Sequence, residues 1–405
     1  MPIRVAVDLT PLLPESAGQT IRPIIAGFLR GLVQQPRFEL TLITNAATDR
    51  EAARWFDRPV TTFCLDHPGH RRGRLPFRFF QRQQFRALYA PFGSARFLHS
   101  GVPVVSMVTN VFPNHGPWPS SEAARRQSEL DNVRTSIVAA RFQVLSDFTG
   151  AQFRGRHGIP AEKVFRTYPP VCPGPLPRPN PDADPETPYF LCPADSQPYR
   201  NHDVLLMAYQ VYRLHSAQTA WRLVLTGMEP RRQDYLRNLA HTLGIADGIQ
   251  FLRPANAEKA DEMLRGSAGL VFPSLDETCG SQLAAAMQSG VPILTAETGG
   301  PAEMVGEAAL KIDVRKPLAL AEALGALAGS PTLREDLRLA GRRRHAALSL
   351  AKDVSRLSQT IAELADQPPV GPLRPGQVWR LWRARQDAMT RTVARRAYRL
   401  LRDHL

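Results

Sequence analysis

Apolar positions along this chain follow two alternating periods. Residues 3–7 form a short, mostly apolar run that ends at Asp8. After a loop that contains Gly18, Ile21, Ile24, Ile25, Phe28, Leu29 and Leu32 recur at three- and four-residue spacing, which puts them on one face of a helix. Residues 40–43, 102–108 and 139–145 return to strand-like runs, the last followed by Ser146, Asp147 and a helical stretch. Strands alternating with helices predict a parallel sheet covered on both faces.

Residues 169–188 interrupt the pattern with nine prolines in twenty positions. Proline lacks the amide that a helix or a central strand needs, so this stretch predicts a stiff connector. The alternation then restarts. Strands are expected at 189–192, 221–225, 249–252, 269–272 and 291–294, and helices at 203–214, 235–243, 257–264, 281–289, 318–327 and 333–348. The expected organisation is a first α/β domain over 1–168, a linker over 169–188, a second α/β domain over 189–367 and a tail over 368–405. Two such domains predict a ligand between them, at the carboxyl ends of the strands. No window approaches the roughly 18 apolar residues of a membrane span, and the start lacks the pattern of a signal peptide. Cys64, Cys172, Cys192 and Cys279 are scattered, without metal-type spacing against the ten histidines, which fits a reducing compartment.

Charge changes this picture. The 405 residues carry 51 Lys and Arg against 37 Asp and Glu, a net +14, and only five of the bases are lysines. A GC-rich genome accounts for abundant arginine; phosphates, a membrane surface or nucleic acid would account for net positive charge. Nine arginines between Arg374 and Arg402, against Asp387 and Asp403, hold half of the excess. Arg391, Arg395, Arg399 and Arg402 form one helical stripe, and Trp382, Met389, Val393, Ala397 and Leu400 form another. That pairing fits a helix lying on anionic lipid. Residues 76–88 also read as helical, with Arg78, Arg82 and Arg86 four apart and Phe79, Phe80 and Phe85 between them. Either the aromatics face the core or this helix lies on a membrane. No zinc-finger, RNA-recognition or helix-turn-helix pattern is present, so no nucleic-acid partner is expected.

The most informative stretch is 269–310, GLVFPSLDETCGSQLAAAMQSGVPILTAETGGPAEMVGEAAL. A buried strand ends at Pro273 and Ser274, a polar loop presents Asp276 and Glu277, and Gly280 opens a helix with Ser281 as its expected N-cap. The first amides of a helix have no partner within it and attract anions. A carboxylate beside an anion site suits a ligand with both hydroxyls and phosphates. Glu277 would accept from sugar hydroxyls while the helix start holds a diphosphate. Cys279 reads as a small buried apolar residue rather than a nucleophile, because no partner histidine is identifiable.

This segment resembles the donor-binding signature of retaining glycosyltransferase family 4 (glycosyl transferases group 1). Pro273-Ser274, Glu277, Gly280, Ala286-Met287 and Gly290-Val291-Pro292 stand in register with it, and Gly299-Gly300-Pro301-Ala302-Glu303 follows. Residues 192–202 resemble the family's strand and Lys-Asn turn, with Arg200 in place of the lysine; residues 221–227 resemble its next strand and glycine. Ser146-Asp147-Phe148-Thr149, Gly158-Ile159-Pro160 and Glu162-Lys163-Val164 resemble the end of its first domain.

The resemblance implies an α/β, GT-B protein: two Rossmann-like doubly wound parallel-sheet domains facing across a cleft, to which the residue pattern of the tail adds a C-terminal basic amphipathic helix. It implies transfer of a sugar from a nucleoside-diphosphate sugar to a glycan or lipid-linked acceptor, with retention of configuration, in cell-surface polysaccharide or lipopolysaccharide assembly. Glu277 and Arg200 are then the catalytic candidates, with Arg200 on the pyrophosphate. Gly18, Ser274, Thr278, Cys279, Gly280, Ser281 and Gln282 would line the donor and its phosphates, and Asn110 and His115 the acceptor side. Arg391, Arg395, Arg399 and Arg402 would meet an anionic membrane, although the last helix of such folds also packs back on the first domain. No cofactor or metal is expected, and the location expected is cytoplasmic, peripheral on the inner face of the cell membrane. Two departures stand out. The family's second Glu, eight positions after the first, is Ala285 here, and its His-Asp after the strand ending at Val108 is Thr109-Asn110. They leave open a non-catalytic GT-B-shaped partner subunit of a glycan-assembly complex.

Overall fold

Strand β1 (Ile3–Asp8) is the apolar run with which the chain opens, and Val5, Ala6 and Val7 are fully buried in the middle of a parallel sheet. The computed structural model describes residues 1–12, 21–65, 77–93, 100–109, 131–133, 135–169, 188–193, 195–216, 220–253, 257–368 and 383. Two compact units emerge: Met1–Val111 with Arg126–Pro170 and Ser349–Leu405, and Phe112–Arg125 with Val171–Leu348.

In the first unit, β1 pairs with β2 (Phe38–Thr44) on one side and β4 (Ala87–Ala90) on the other. β3 (Thr61–Cys64), β5 (Val104–Val108), β6 (Arg141–Val144) and β7 (Val164–Arg166) complete the order β3-β2-β1-β4-β5-β6-β7. Helix α1 (Arg22–Val33) buries Ile24, Ile25, Phe28, Leu29 and Leu32, the stripe visible in the sequence. α2 is Asp49–Ala53, α3 is Phe77–Arg82 and α4 is Asp147–His157. α4 starts on Ser146, whose Oγ accepts from the Thr149 amide, and stops at Gly158 in the left-handed conformation.

The stretch 76–88 departs from the helical expectation. α3 ends at Arg82, Gln84 turns the chain at φ 54°, and Arg86 stands just before β4. The aromatics face inward, with Phe80 and Phe85 buried and their rings 5.8 Å apart. The three arginines therefore do not share one helical stripe.

The second unit holds β8 (Tyr189–Pro193), β9 (Arg222–Thr226), β10 (Ile249–Leu252), β11 (Gly269–Phe272), β12 (Ile293–Ala296) and β13 (Leu310–Ile312), in the order β10-β9-β8-β11-β12-β13. All described pairings in both sheets are parallel. Helices α5 (His202–Ser216), α6 (Pro230–Thr242), α7 (Ala257–Gly266), α8 (Ser281–Ser289), α9 (Gly299–Val305), α10 (Pro317–Gly329) and α11 (Pro331–Ala347) connect or follow the strands. Leu205, Leu206, Tyr209, Leu320 and Leu324 from α5 and α10 join one core with Phe190, Leu225 and Val271 of the sheet.

The expected end of the second domain at 367 is corrected. Helix α12 (Leu350–Ala365) belongs to the first unit. It buries Val354, Leu357, Ile361 and Leu364 and packs along α1. Gly31 leaves room for this approach, since a Cβ there would lie 2.5 Å from a Val354 methyl. Arg37 Nε donates to the buried Ser358 Oγ at 3.1 Å, and Arg86 Nε donates to the Ala365 carbonyl at 3.0 Å. Hydrophobic periodicity marks the buried face of a helix but not the surface that covers it. With this return, the first unit carries 32 Lys and Arg against 16 Asp and Glu, an excess of +16; the second carries 19 against 21, or −2. The whole positive excess therefore belongs to one unit.

Candidate functional site

The candidate site grows from two loops in the second unit that leave the carboxyl ends of neighbouring strands. β8 and β11 run side by side at the middle of the sheet. After β8 the chain makes a short turn over Pro198–Arg200, and Asn201 takes a left-handed φ of 63°. Asn201 Nδ2 donates to the Val314 carbonyl at 2.8 Å, which anchors this strained corner. After β11, residues 273–280 form the second loop. The Leu275 amide donates to the Tyr199 carbonyl at 2.8 Å and ties the two loops together.

Between them lies Arg200, 3% exposed. Its Nη1 donates to Glu277 Oε2 at 2.5 Å and to Ser274 Oγ at 3.4 Å. Its Nε and Nη2 donate to Asp195 Oδ1 and Oδ2 at 3.2 and 3.0 Å. The guanidinium lies 5.0 Å from the centre of the Tyr199 ring and 5.7 Å from that of Phe272. Glu277 and Arg200, read from separate motifs, are thus direct partners. Asp195 was not expected, although an Asp two residues before Gln197 is a turn signal: its Oδ1 accepts from the Gln197 amide at 3.1 Å.

The electrostatics follow from burial and these pairs. Burial opposes charge on Asp195, but hydrogen bonds and charge from Arg200 prevail and hold its carboxyl below the usual range. At Glu277 burial prevails over Arg200 and raises the pKa. Asp276 is pushed up to about 6, first by burial and then by Glu277 next to it. Its Oδ2 is buried without a hydrogen-bond partner. Burial also pushes the Cys279 thiol up, consistent with a packing role rather than nucleophilic chemistry.

The helix start is built differently from the expectation. The N-cap of α8 is Gly280, at φ 72° and ψ 78°, and Ser281 is already the first helical residue. A residue in that left-handed conformation is most easily glycine, so the turn falls on Gly280 rather than on the serine. No side chain caps this end, and the amides at the start of α8 remain open to an anion. Thr278, Cys279, Gly280, Ser281 and Gln282 thus follow Glu277 directly into the helix. The loop rests on α9. A Cβ on Gly300 would lie 2.1 Å from the Thr278 carbonyl oxygen and 2.7 Å from that of Glu277. Gly300 therefore sets where Glu277 stands, a role that the motif alone did not reveal.

His202, the first residue of α5, is fully buried, and among the described residues neither ring nitrogen has a hydrogen-bond partner. Burial, with Arg232 and Arg200 nearby, pushes its pKa down to about 4. Gly18, Asn110, His115, Arg391, Arg395, Arg399, Arg402 and residues 170–187 of the linker lie outside the described residues. Among the described residues, no group of three His, Cys, Asp or Glu stands ready for a metal ion, and no helix is long and apolar enough to cross a membrane. A cavity of about 930 Å³ lies in the first unit instead, lined by Arg4, Glu39, Phe85, Arg86 and Pro103. These residues stand at the amino ends of the strands, whereas open α/β sheets bind ligands at the carboxyl ends.

Two parallel-sheet α/β units of this kind make the GT-B glycosyltransferase fold. A glycosyltransferase from Rickettsia africae superposes with a TM-score of 0.66 at 12% identity, covering 91% of this chain and 100% of that one. Anabaena Alr3699/HepE, solved in complex with UDP, gives 0.64 at 14% identity, covering 89% and 100%. In sequence, residues 177–344 match the family model of glycosyl transferases group 1. D-inositol 3-phosphate glycosyltransferase of Streptomyces scabiei is 32% identical over 145 residues, 34% of this chain and 32% of that protein. The Nocardia farcinica protein of the same name is 33% identical over 153 residues, 36% of this chain and 33% of its own length. The chain thus spans about a third of the curated relatives it matches.

Proposed function

We propose that the protein transfers a sugar from a nucleoside-diphosphate sugar to a glycan or lipid-linked acceptor. The observation that carries this reading is the adjacency of Glu277 to an uncapped helix start, fixed by Gly280 and Gly300. The match to glycosyl transferases group 1 covers that segment, and a neighbour of the same fold holds UDP. In this reading the amides at 281–282 donate to the diphosphate and stabilise charge as the sugar–phosphate bond breaks, a large contribution in such reactions. Glu277 orients the donor through its hydroxyls. Transfer would occur on the same face with retention, the donor phosphate taking the acceptor proton. No metal is assigned a role.

The acceptor is expected at a membrane surface. Supporting this is the segregation of all excess positive charge, including the arginine-rich 374–402, into the first unit. Anionic lipid attracts such clusters by about 1 kcal/mol per basic residue near the surface. Polysaccharide or lipopolysaccharide assembly would supply a lipid-linked acceptor there.

The test is a thermal-shift and donor-hydrolysis panel of UDP- and GDP-sugars. Stabilisation by one donor that disappears in Glu277→Ala is the expected result. No shift with any nucleotide sinks the enzymatic reading and favours a non-catalytic subunit. Liposome flotation of the full chain and of a chain lacking 371–405 tests the membrane contact: equal flotation of both, or none by either, rejects a role for the tail.

A further inference from the structure

We propose that Asp195 is a positioning residue that acts through Arg200: it holds the guanidinium on Glu277 and away from the ligand's diphosphate. The proposal rests on the glycosyltransferase reading.

Arginine has five N–H groups in a fixed fork. Asp195 takes the Nε–Nη2 edge with both carboxylate oxygens, and Glu277 and Ser274 take Nη1. The centres of the Tyr199 and Phe272 rings lie 5.0 and 5.7 Å from the central guanidinium carbon. What remains is one N–H of Nη2, which gives no bidentate grip on a phosphate.

Charge points the same way. One guanidinium is paired with two carboxylates, Asp195 and Glu277, and Asp276 adds a third acidic side chain beside Glu277. A diphosphate approaching Arg200 would meet more negative than positive charge, whereas the start of α8 offers backbone amides with no carboxylate on them. The tasks are therefore divided. Backbone holds phosphate, Arg200 holds the carboxylate that meets the sugar, and Asp195 keeps Arg200 in place. This also explains why the position carries arginine. A lysine ammonium is a point charge and does not span Asp195 and Glu277 from one rigid plane.

The experiment compares the full-length wild type with Asp195→Asn, Asp195→Glu and Arg200→Lys. Calorimetry reads the affinity for UDP and GDP; turnover is followed at saturating UDP- or GDP-sugar, and melting temperature monitors folding. In Asp195→Asn and Arg200→Lys, turnover falls by about tenfold or more, while the nucleoside-diphosphate affinity moves by less than about threefold. Asp195→Glu restores part of the turnover, because a carboxylate again meets the fork. Loss of UDP or GDP affinity in step with turnover would overturn the proposal and make Arg200 a phosphate ligand. So would unchanged turnover in Asp195→Asn. If one variant fails to fold, the other carries the same split. A wild type that binds neither nucleotide refutes the glycosyltransferase reading itself, a result distinct from either of these.

Discussion

Replacing Gly300 by alanine moves Glu277 without altering it. Gly300 is the second residue of α9 and has no positive φ, so the helix backbone accepts a side chain there. Alanine would favour the helix by about 1 kcal/mol. The obstacle is the place the methyl must occupy. It would meet the Thr278 carbonyl oxygen at 2.1 Å, the Thr278 carbonyl carbon at 2.4 Å and the Glu277 carbonyl oxygen at 2.7 Å, where ordinary contact begins at 3.4 Å. These are backbone atoms, and no rotamer change relieves them. The loop and α9 must separate by about 1.3 Å, the difference between 3.4 and 2.1 Å. Overpacking of this kind costs about 1–3 kcal/mol, partly offset by the helix term. A displacement of about 1 Å at a catalytic group can slow turnover about 100-fold, which corresponds to about 2.7 kcal/mol of barrier. Turnover should therefore fall much further than stability. The assay pairs thermal unfolding with donor consumption, using Gly155→Ala as control, since a Cβ at Gly155 meets nothing within 4 Å. Wild-type turnover in Gly300→Ala, or a loss that only tracks the unfolded fraction, refutes the claim that this contact positions Glu277.

Three further outcomes are expected. His202 is neutral when folded, with its pKa down at about 4 against 6.5, so it contributes stability above pH 6.5 that is lost as pH falls towards 4, up to about 3 kcal/mol. Asp276, raised to about 6, acts oppositely in the same window and gains stability as pH falls. The comparison is therefore between variants: in urea titrations at pH 7 and pH 4.5, His202→Phe should lose less stability than wild type, and equal losses reject the assignment. Gly31→Ala should destabilise the first unit by about 1–3 kcal/mol through its clash with Val354, and Val354→Ala should rescue it in a double-mutant cycle; additive losses would place α12 elsewhere. Cys192, pushed up to about 12 by burial, and Cys279, also raised, should resist iodoacetamide at pH 7 until the protein unfolds, whereas Cys64, which is not buried, should be alkylated in the folded protein; mass spectrometry of native-state digests decides it.

Much of this was legible along the chain. The stripe Ile24, Ile25, Phe28, Leu29, Leu32 is the buried face of α1, and residues 269–289 read in order as strand, loop and helix. β7 and β13 escaped notice because three residues are too few for a period to declare itself, β3 because Thr61 and Thr62 make half of it polar, and β4 because it begins inside the stretch read as one helix. The 76–88 stretch misled because phenylalanines at helical spacing are also what a short helix, a turn and a strand entry place on one core.

What the sequence determined by itself was local: which segments are buried strands, which helices have an apolar face, and that a strand, a polar loop and a helix follow one another over 269–289. What only the tertiary structure decided was partnership. Arg200 and Glu277 lie 77 residues apart and meet because β8 and β11 are neighbours in the sheet. Asp195 takes the Nε–Nη2 edge of Arg200, five residues away along the chain. α12, amphipathic like its predecessors, leaves the second unit to cover α1 because Gly31 offers room for Val354. Periodicity states that a face is buried and a side chain's chemistry states what it can bond. Which partner is within reach depends on strand order and on a few ångströms of clearance, and neither is written in any one segment.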